Sequence, residues 1–143
     1  TEVDKSLIPT GVRPSVEGTV FDLREFTRLS DCCQDGFIGF DHNFNLTGST
    51  ETEILGSSVH LAAEVIGGGY KMSVYTNQPG LQFYMGNFLG SGPDFSGGIK
   101  QVRHGAMCFE AQTEPNAVNR GETFYSRGEV YRQLTAYLLE DFK

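Results

Sequence analysis

Strict alternation of apolar and polar residues, a pattern typical of half-buried β-strands, recurs over short stretches of the chain. Its clearest example is the run of residues 40–46. Successive residues of a strand point to opposite faces, so this run would have one apolar and one polar face. The two sets are Phe40, His42, Phe44 and Leu46 against Asp41, Asn43 and Asn45. We expect the apolar face to lie in the core.

Two further alternating runs place polar groups of chemical interest on one side of a predicted strand. In residues 81–85, Gln82 and Phe83 fall on opposite sides. In residues 106–112, Glu110 falls on one side and shares it with a thiol and an amide. Those two companions are Cys108 and Gln112. The alternation therefore predicts a carboxylate and an amide on polar strand faces.

Hairpins and loops complete the predicted all-β pattern. Residues 57–65 and 70–76 are β-prone runs joined by a glycine-rich connection at 66–69, which predicts a hairpin because glycine tolerates the positive φ of tight turns. Residues 19–23 predict a short strand, and the glycine-rich stretch 89–98 predicts a surface loop. The tail at 129–142 fits a helix or a strand by periodicity alone.

Composition supports one β-rich domain and argues against several partners. The 143 residues include eleven Phe, six Tyr and eighteen Gly, with only 20% charged residues. A net charge of −7 disfavours nucleic acid and anionic membranes as partners. No apolar run approaches the roughly 20 residues that span a bilayer. Three cysteines, without a CxxC spacing, favour a reduced cytoplasmic protein without a disulfide framework or zinc site.

Three segments resemble the aldose 1-epimerase (galactose mutarotase) family, in the same order and at similar spacing. They are Gly-Phe-Asp-His-Asn-Phe at 39–44, Val-Tyr-Thr-Asn-Gln-Pro-Gly-Leu-Gln-Phe-Tyr-Met-Gly-Asn-Phe-Leu at 74–89, and Cys-Phe-Glu-Ala-Gln-Thr-Glu-Pro-Asn-Ala-Val-Asn at 108–119. The resemblance implies a large antiparallel β-sandwich, with the tail as a strand. It also implies that residues 1–143 are the C-terminal portion of a single, longer aldose 1-epimerase domain.

The resemblance also implies roles for particular residues. Glu110 would be the general base, and Asp41 and Gln82 would bind sugar hydroxyls. The family's general-acid histidine, a second active-site histidine and a sugar-binding arginine would lie upstream of Thr1. This chain alone would then be inactive until the missing N-terminal portion completes the fold. The implied substrates are free hexoses, with galactose and glucose as the leading candidates.

The chemistry of anomer interconversion suits these side chains. A base removes the proton of the C1 hydroxyl while an acid protonates the ring oxygen, and the opened hemiacetal recloses with C1 inverted. A carboxylate serves as the base if partial burial raises its pKa toward neutrality, and no metal or organic cofactor is required. Amide and carboxylate groups such as those of Gln82 and Asp41 suit hydroxyl recognition.

Each residue also has an ordinary structural interpretation. Without the resemblance, Glu110, Asp41 and Gln82 would be taken as solvated surface groups. His42 shares the apolar face and is expected to be a hydrogen-bonded structural histidine. Cys108 is expected to be a buried small hydrophobe and not a nucleophile.

Two rival functions remain open from the sequence. One is a non-catalytic carbohydrate-binding or regulatory protein on a mutarotase scaffold, and the other is a purely structural fragment. The residues that precede Thr1 would distinguish a non-catalytic binding protein from an enzyme, because the enzyme needs the upstream histidines and arginine.

Overall fold

Two antiparallel β-sheets make up most of the regular structure. The computed structural model describes residues 1–34, 36–47 and 50–143. The strands are β1 (Asp41–Asn45), β2 (Glu51–Ile54), β3 (Ser57–Gly67), β4 (Tyr70–Thr76), β5 (Gly80–Tyr84), β6 (Cys108–Gln112) and β7 (Thr135–Asp141). One short helix, α1, spans Leu29–Cys32, and 3-10 turns occur at Ser96–Gly98 and Ala117–Arg120. The predicted all-β class is confirmed. Among these helical segments none is long and apolar enough to cross a membrane.

The strands are divided between a three-stranded and a four-stranded sheet. The first has the order β1, β5, β6, and the second has the order β2, β3, β4, β7, with every pair antiparallel. Residues 77–79 carry the chain from β4 in one sheet to β5 in the other. Asn77 fixes this crossing, because its backbone N–H donates to Leu134 O (3.2 Å) and its Oδ1 accepts from Leu134 N–H (3.0 Å). The crossing is therefore held against the segment that leads into β7.

The hairpin of β3 and β4 confirms the turn predicted from the glycine run, with a shorter connection. Only Gly68 and Gly69 lie outside the strands, with φ of 59° and 83°. Gly67 instead pairs with Tyr70 as the last residue of β3. Two consecutive residues with positive φ are what a tight turn matched to the twist of its strands requires.

The core lies between the two sheets and along one face of the smaller sheet. An aromatic stack runs across that face: the ring centroids of Phe40 and Phe83 are 5.3 Å apart, and those of Phe83 and Phe109 are 5.0 Å apart. A second cluster joins the sheets through Val74, Leu81 and Ala111. The apolar face predicted by alternation in residues 40–46 is therefore in the core, and it fixes which side of the sheet remains for polar groups.

The strand predicted at residues 19–23 is wrong. Thr19 stabilises turns here instead: its hydroxyl donates to Val16 O (2.6 Å) and accepts from Phe21 N–H (3.1 Å). Local hydrogen bonds of this kind compete with strand pairing. Phe21 still contributes to the core, where its ring packs against Phe37 at 5.6 Å.

The other two predictions for irregular segments hold. The tail forms a strand, as the resemblance implied, although only from Thr135 onward. Residues 89–98 form a largely exposed loop that ends in the turn Ser96–Gly98.

Replacing Gly69 with Ala should lower the free energy of unfolding by about 1 kcal/mol, because a Cβ disfavours the positive φ even though the space around it is open. Urea denaturation followed by circular dichroism measures this change. Gly67→Ala is the matched control: its surroundings are equally open and its φ is not positive. An equal loss in both variants would contradict the conformational explanation.

Candidate active site

The register of the three-stranded sheet brings the sequence-predicted site residues onto one surface. Asn43 on β1 is directly opposite Gln82 on β5, which is directly opposite Glu110 on β6. Directly opposite residues of antiparallel strands point to the same face, with Cβ atoms roughly 5 Å apart. The row that neighbours this one holds Asp41, Tyr84 and Cys108 in the same manner. We call the side of the sheet that carries these two rows the polar face.

A hydrogen bond joins two of the three predicted groups. Gln82 Nε2 donates to Asp41 Oδ1 at 2.9 Å, and both side chains are half-buried. Gln82 sits on the central strand between the strands of Asp41 and Glu110. The amide therefore connects an acceptor on one side with a carboxylate on the other, an arrangement suited to contacting several hydroxyl groups of one small ligand.

Glu110 is more open to solvent than a carboxylate base was expected to be. It is exposed, and no side chain or backbone group of the described residues hydrogen-bonds its carboxylate. The described residues therefore do not supply the partial burial that was set as a condition for a carboxylate base, because no described segment covers this part of β6. Cys108 is exposed for the same reason, so its predicted burial is wrong. Both groups are open to a ligand or to another segment.

The side of the sheet opposite the polar face is apolar, as alternation predicted. His42, Phe83 and Phe109 form a row there. Phe83 stacks between Phe40 and Phe109 and so cannot also pack on a ligand bound at the polar face. The aromatic stack supports the polar face from behind.

The residues nearest the start of the chain cover one end of the polar face. The Thr1 hydroxyl accepts from Asn43 Nδ2 (3.3 Å) and Asn45 Nδ2 (3.1 Å), and Asn43 is only 3% exposed. The accessible part of the face is the part around Asp41, Gln82 and Glu110. Tyr84 borders this part, and its hydroxyl accepts from Phe88 N–H at 3.1 Å.

Asn87, which sequence reasoning missed, holds the backbone just before Asp41. Its Nδ2 donates to Gly39 O (3.1 Å) and to Phe40 O (3.0 Å), and the side chain is buried. Phe40 O also accepts from Met85 N–H at 2.9 Å, which extends the pairing of β1 with β5. Gly39 has a φ of 117°, and a Cβ there would collide with Asn87 Oδ1. The only sequence signal was an asparagine just after a predicted strand.

Two side chains, also missed, bind the carbonyl groups that flank Glu110. Tyr137 Oη donates to Phe109 O (2.9 Å), and Gln133 Nε2 donates to Ala111 O (2.7 Å). Tyr137 belongs to β7 of the other sheet, and Gln133 lies just before it. Because alternation in the ambiguous tail carried no information about partners, the sequence alone offered no means of finding these contacts.

A charged cluster fixes the segment that follows β6. Glu114, whose side chain is 2% exposed, bonds Arg13 Nε at 3.0 Å and Arg120 Nη2 at 2.7 Å. The same two arginines bond Glu122, each at 3.0 Å. A buried carboxylate needs such partners, so the cluster ties the loop around residue 13 to the exit of β6. This carboxylate is fully engaged, unlike that of Glu110.

Two other concave regions lie away from these groups. One, of about 510 Å³, is lined by residues that include Gln78, Phe124, Tyr125 and Tyr131. The other, of about 410 Å³, lies among Gly18, Asp22, Arg24 and Glu25. Neither contains Asp41, Gln82 or Glu110, so we place the candidate site by its chemistry on the open polar face. The described residues include no group of three or more His, Cys, Asp and Glu side chains that could hold a metal ion.

Comparison with known proteins decides the family. The model of the family described as aldose 1-epimerase matches residues 1–138. The chain belongs to the aldose 1-epimerase family. It is 42% identical over 137 residues to galactose mutarotase of Mus musculus, and the match covers 93% of this chain and 39% of that protein. It is 46% identical over 119 residues to galactose mutarotase of Pongo abelii, with 82% and 33% covered.

A bacterial relative shows the same relation at greater distance. The aldose 1-epimerase of Escherichia coli K12 is 34% identical over 147 residues, which cover 94% of this chain and 40% of that protein. The chain therefore spans about 33 to 40% of the length of these relatives. The family resemblance inferred from the three segments is confirmed.

His42 occupies the structural position expected for it. Its ring packs against that of Phe21 at 4.7 Å, and its Nδ1 accepts from Asp41 N–H at 3.0 Å. Burial lowers the pKa of His42, and the Thr1 ammonium adds to this effect while the Asp41 carboxylate opposes it. The neutral ring is the form that can accept the Asp41 hydrogen bond.

We expect His42 to make the fold sensitive to acid. Below the ordinary histidine pKa of 6.5 the unfolded state takes up this proton more readily than the folded state, so stability falls as the pH drops through the lowered folded pKa. Urea unfolding at pH 7.5 and pH 5.0 measures the loss. His42→Gln, which does not titrate, should lose less stability over the same interval. Equal losses in the two proteins would refute the assignment.

Proposed function

We propose that this chain is part of an aldose 1-epimerase that interconverts the α and β anomers of free hexoses. Galactose and glucose are the leading candidate substrates. The observation that carries the proposal is the juxtaposition on the polar face: Gln82 is bonded to Asp41 and is directly opposite Glu110. The names of the relatives, galactose mutarotase and aldose 1-epimerase, support the same reaction.

Glu110 is assigned the role of general base. Its carboxylate is accessible and has no hydrogen-bond partner among the described residues, so it is available to take the C1 hydroxyl proton. As that proton leaves, the ring C–O bond breaks and the ring oxygen gains a proton from an acid. Rotation of the open aldehyde and reversal of the steps give the other anomer. A positioned acid and base together are the usual source of acceleration for such proton transfers.

Asp41 and Gln82 are assigned to sugar binding. The Asp41 carboxylate is held by Gln82 Nε2 through Oδ1, and the remaining acceptor positions can receive sugar hydroxyl protons. The Gln82 amide oxygen and second amide hydrogen can contact further hydroxyls. Uncharged hexoses suit this face, since recognition depends on short hydrogen bonds and not on the net charge of −7.

The rest of the site belongs, in this proposal, to an N-terminal portion of the same fold. The chain spans 33 to 40% of its relatives and exposes 9898 Å², against about 7,300 Å² expected for a compact protein of its 15.7 kDa mass. Exposed apolar side chains such as Val130 (73%) and Phe124 (72%) add to that surface. A completing portion would cover Glu110 and supply the general acid. The free thiols fit a reducing, cytoplasmic setting.

Glu110→Gln should strongly reduce catalysis while leaving the fold intact. The test uses the complete protein of which, in this proposal, these 143 residues are the C-terminal portion, and we call it the completed chain. Loss of a general base should lower kcat for galactose mutarotation, measured by polarimetry, by about a hundredfold or more. Glu53→Gln, an exposed glutamate on β2 of the other sheet, is the matched control. Near-normal mutarotation rates in Glu110→Gln would refute the role of Glu110 as general base.

The chain without its upstream portion should be inactive. The same polarimetric assay, run on the 143-residue chain and on the completed chain at equal concentration, should show turnover only in the latter. Turnover by the short chain would contradict the missing acid. A completed chain that binds galactose, detected by calorimetry, but does not accelerate mutarotation would instead favour the carbohydrate-binding alternative.

A further inference from the structure

Both proposed functional carboxylates lie beside backbone carbonyl groups that distant side chains bind. We infer that Asn87 positions Asp41, and that Gln133 and Tyr137 position Glu110. The inference rests on the proposed function, and it makes these three side chains positioning residues of the sugar site. None of them lies in the two rows of the polar face, so they act through the residues they hold.

Asp41 needs support because of its place in the sheet. It is the first residue of β1, and strand ends open more readily than strand centres. The Phe40 carbonyl accepts both Met85 N–H and Asn87 Nδ2, while Asn87 Nδ2 also binds Gly39 O. Asn87 is 6% exposed, so water does not readily replace these bonds. We call these bonds the Asp41 clamp. They hold the backbone just before Asp41 and so keep its carboxylate near Gln82.

Glu110 needs support for a different reason. Strand β6 is an edge strand of its sheet, paired on one side by β5. The Phe109 and Ala111 carbonyls, which flank Glu110, are bound by Tyr137 Oη and Gln133 Nε2. Gln133 is itself held, because Tyr131 Oη donates to its Oε1 at 2.7 Å. We call these bonds the Glu110 clamp. They join the outer edge of β6 to β7 and to the residues just before it.

The two clamps should affect different kinetic constants. A displaced Asp41 weakens the binding of ground and transition states alike, which raises KM and the dissociation constant for galactose. A displaced Glu110 disturbs proton transfer, which lowers kcat, since catalysis is sensitive to displacements of about 1 Å. A purely structural role would lower the melting temperature without this division.

Double-mutant cycles in the completed chain test the inference directly. We would combine Asn87→Ala with Asp41→Asn and follow galactose affinity by calorimetry. We would also combine Tyr137→Phe with Glu110→Asp and follow kcat by polarimetry. The crossed pairs, Asn87 with Glu110 and Tyr137 with Asp41, serve as internal controls because each joins a clamp to the carboxylate that it does not hold.

The expected result is coupling within each pair and additivity across pairs. Asn87→Ala should weaken galactose binding about five- to tenfold when Asp41 is present and less than about twofold when Asp41 is replaced. Tyr137→Phe should lower kcat about threefold or more when Glu110 is present. In the Glu110→Asp background the same change should lower kcat less than about twofold. Gln133→Leu, combined with Tyr137→Phe, should deepen the loss of kcat.

Conservative controls separate these effects from general damage. Asn119→Ala removes an exposed asparagine whose side chain, within the described residues, bonds Asn116 alone. Tyr70→Phe removes an exposed hydroxyl on β4. Both should leave KM and kcat within about twofold of the parent, as expected for surface groups away from the site. If Asn87→Ala does not fold, Asn87→Ser carries the same cycle.

Additive effects in all four cycles would overturn the inference. If Glu110→Gln retains activity, the proposed function itself fails. If Glu110→Gln is inactive and the cycles are additive, only the positioning roles fail.

Discussion

The antiparallel register of β1, β5 and β6 is the constraint on which the rest of the structure depends. It places Asn43, Gln82 and Glu110 in one row and His42, Phe83 and Phe109 in the row behind it. A shift of one residue would exchange the two faces and expose the aromatic stack. The packing of Phe83 between Phe40 and Phe109 therefore stabilises the polar face, because the same pairing that buries the rings directs the amide and the carboxylates outward.

The side chains around this sheet then limit its movement. Backbone carbonyls at the start of β1 and along the edge of β6 are bound by side chains from a turn and from the other sheet. The buried Glu114, between Arg13 and Arg120, fixes the exit of β6. The polar face is thus held by hydrogen bonds at its borders, while the surface around Asp41, Gln82 and Glu110 stays accessible.

Much of this was predictable from the sequence, because alternation has a period of two and reports directly on faces. Residue order alone put Asp41 opposite to Phe40, and Gln82 opposite to Phe83. It failed at residues 19–23, where the Thr19 hydroxyl offers the backbone local partners. The predicted burial of Cys108 was also wrong, since exposure depends on which segments cover a face. Contacts such as Tyr137 with Phe109 join distant residues, and no local pattern encodes them.

The short crossing between the sheets has a mechanical consequence. Residues 77–79 join β4 to β5, and Asn77 is bonded through both its backbone and its side chain to Leu134, next to β7. So short and well-anchored a link leaves no slack for one sheet to open while the other stays closed. The two sheets should therefore behave as a single cooperative unit, and disturbances in the four-stranded sheet would be transmitted to the polar face.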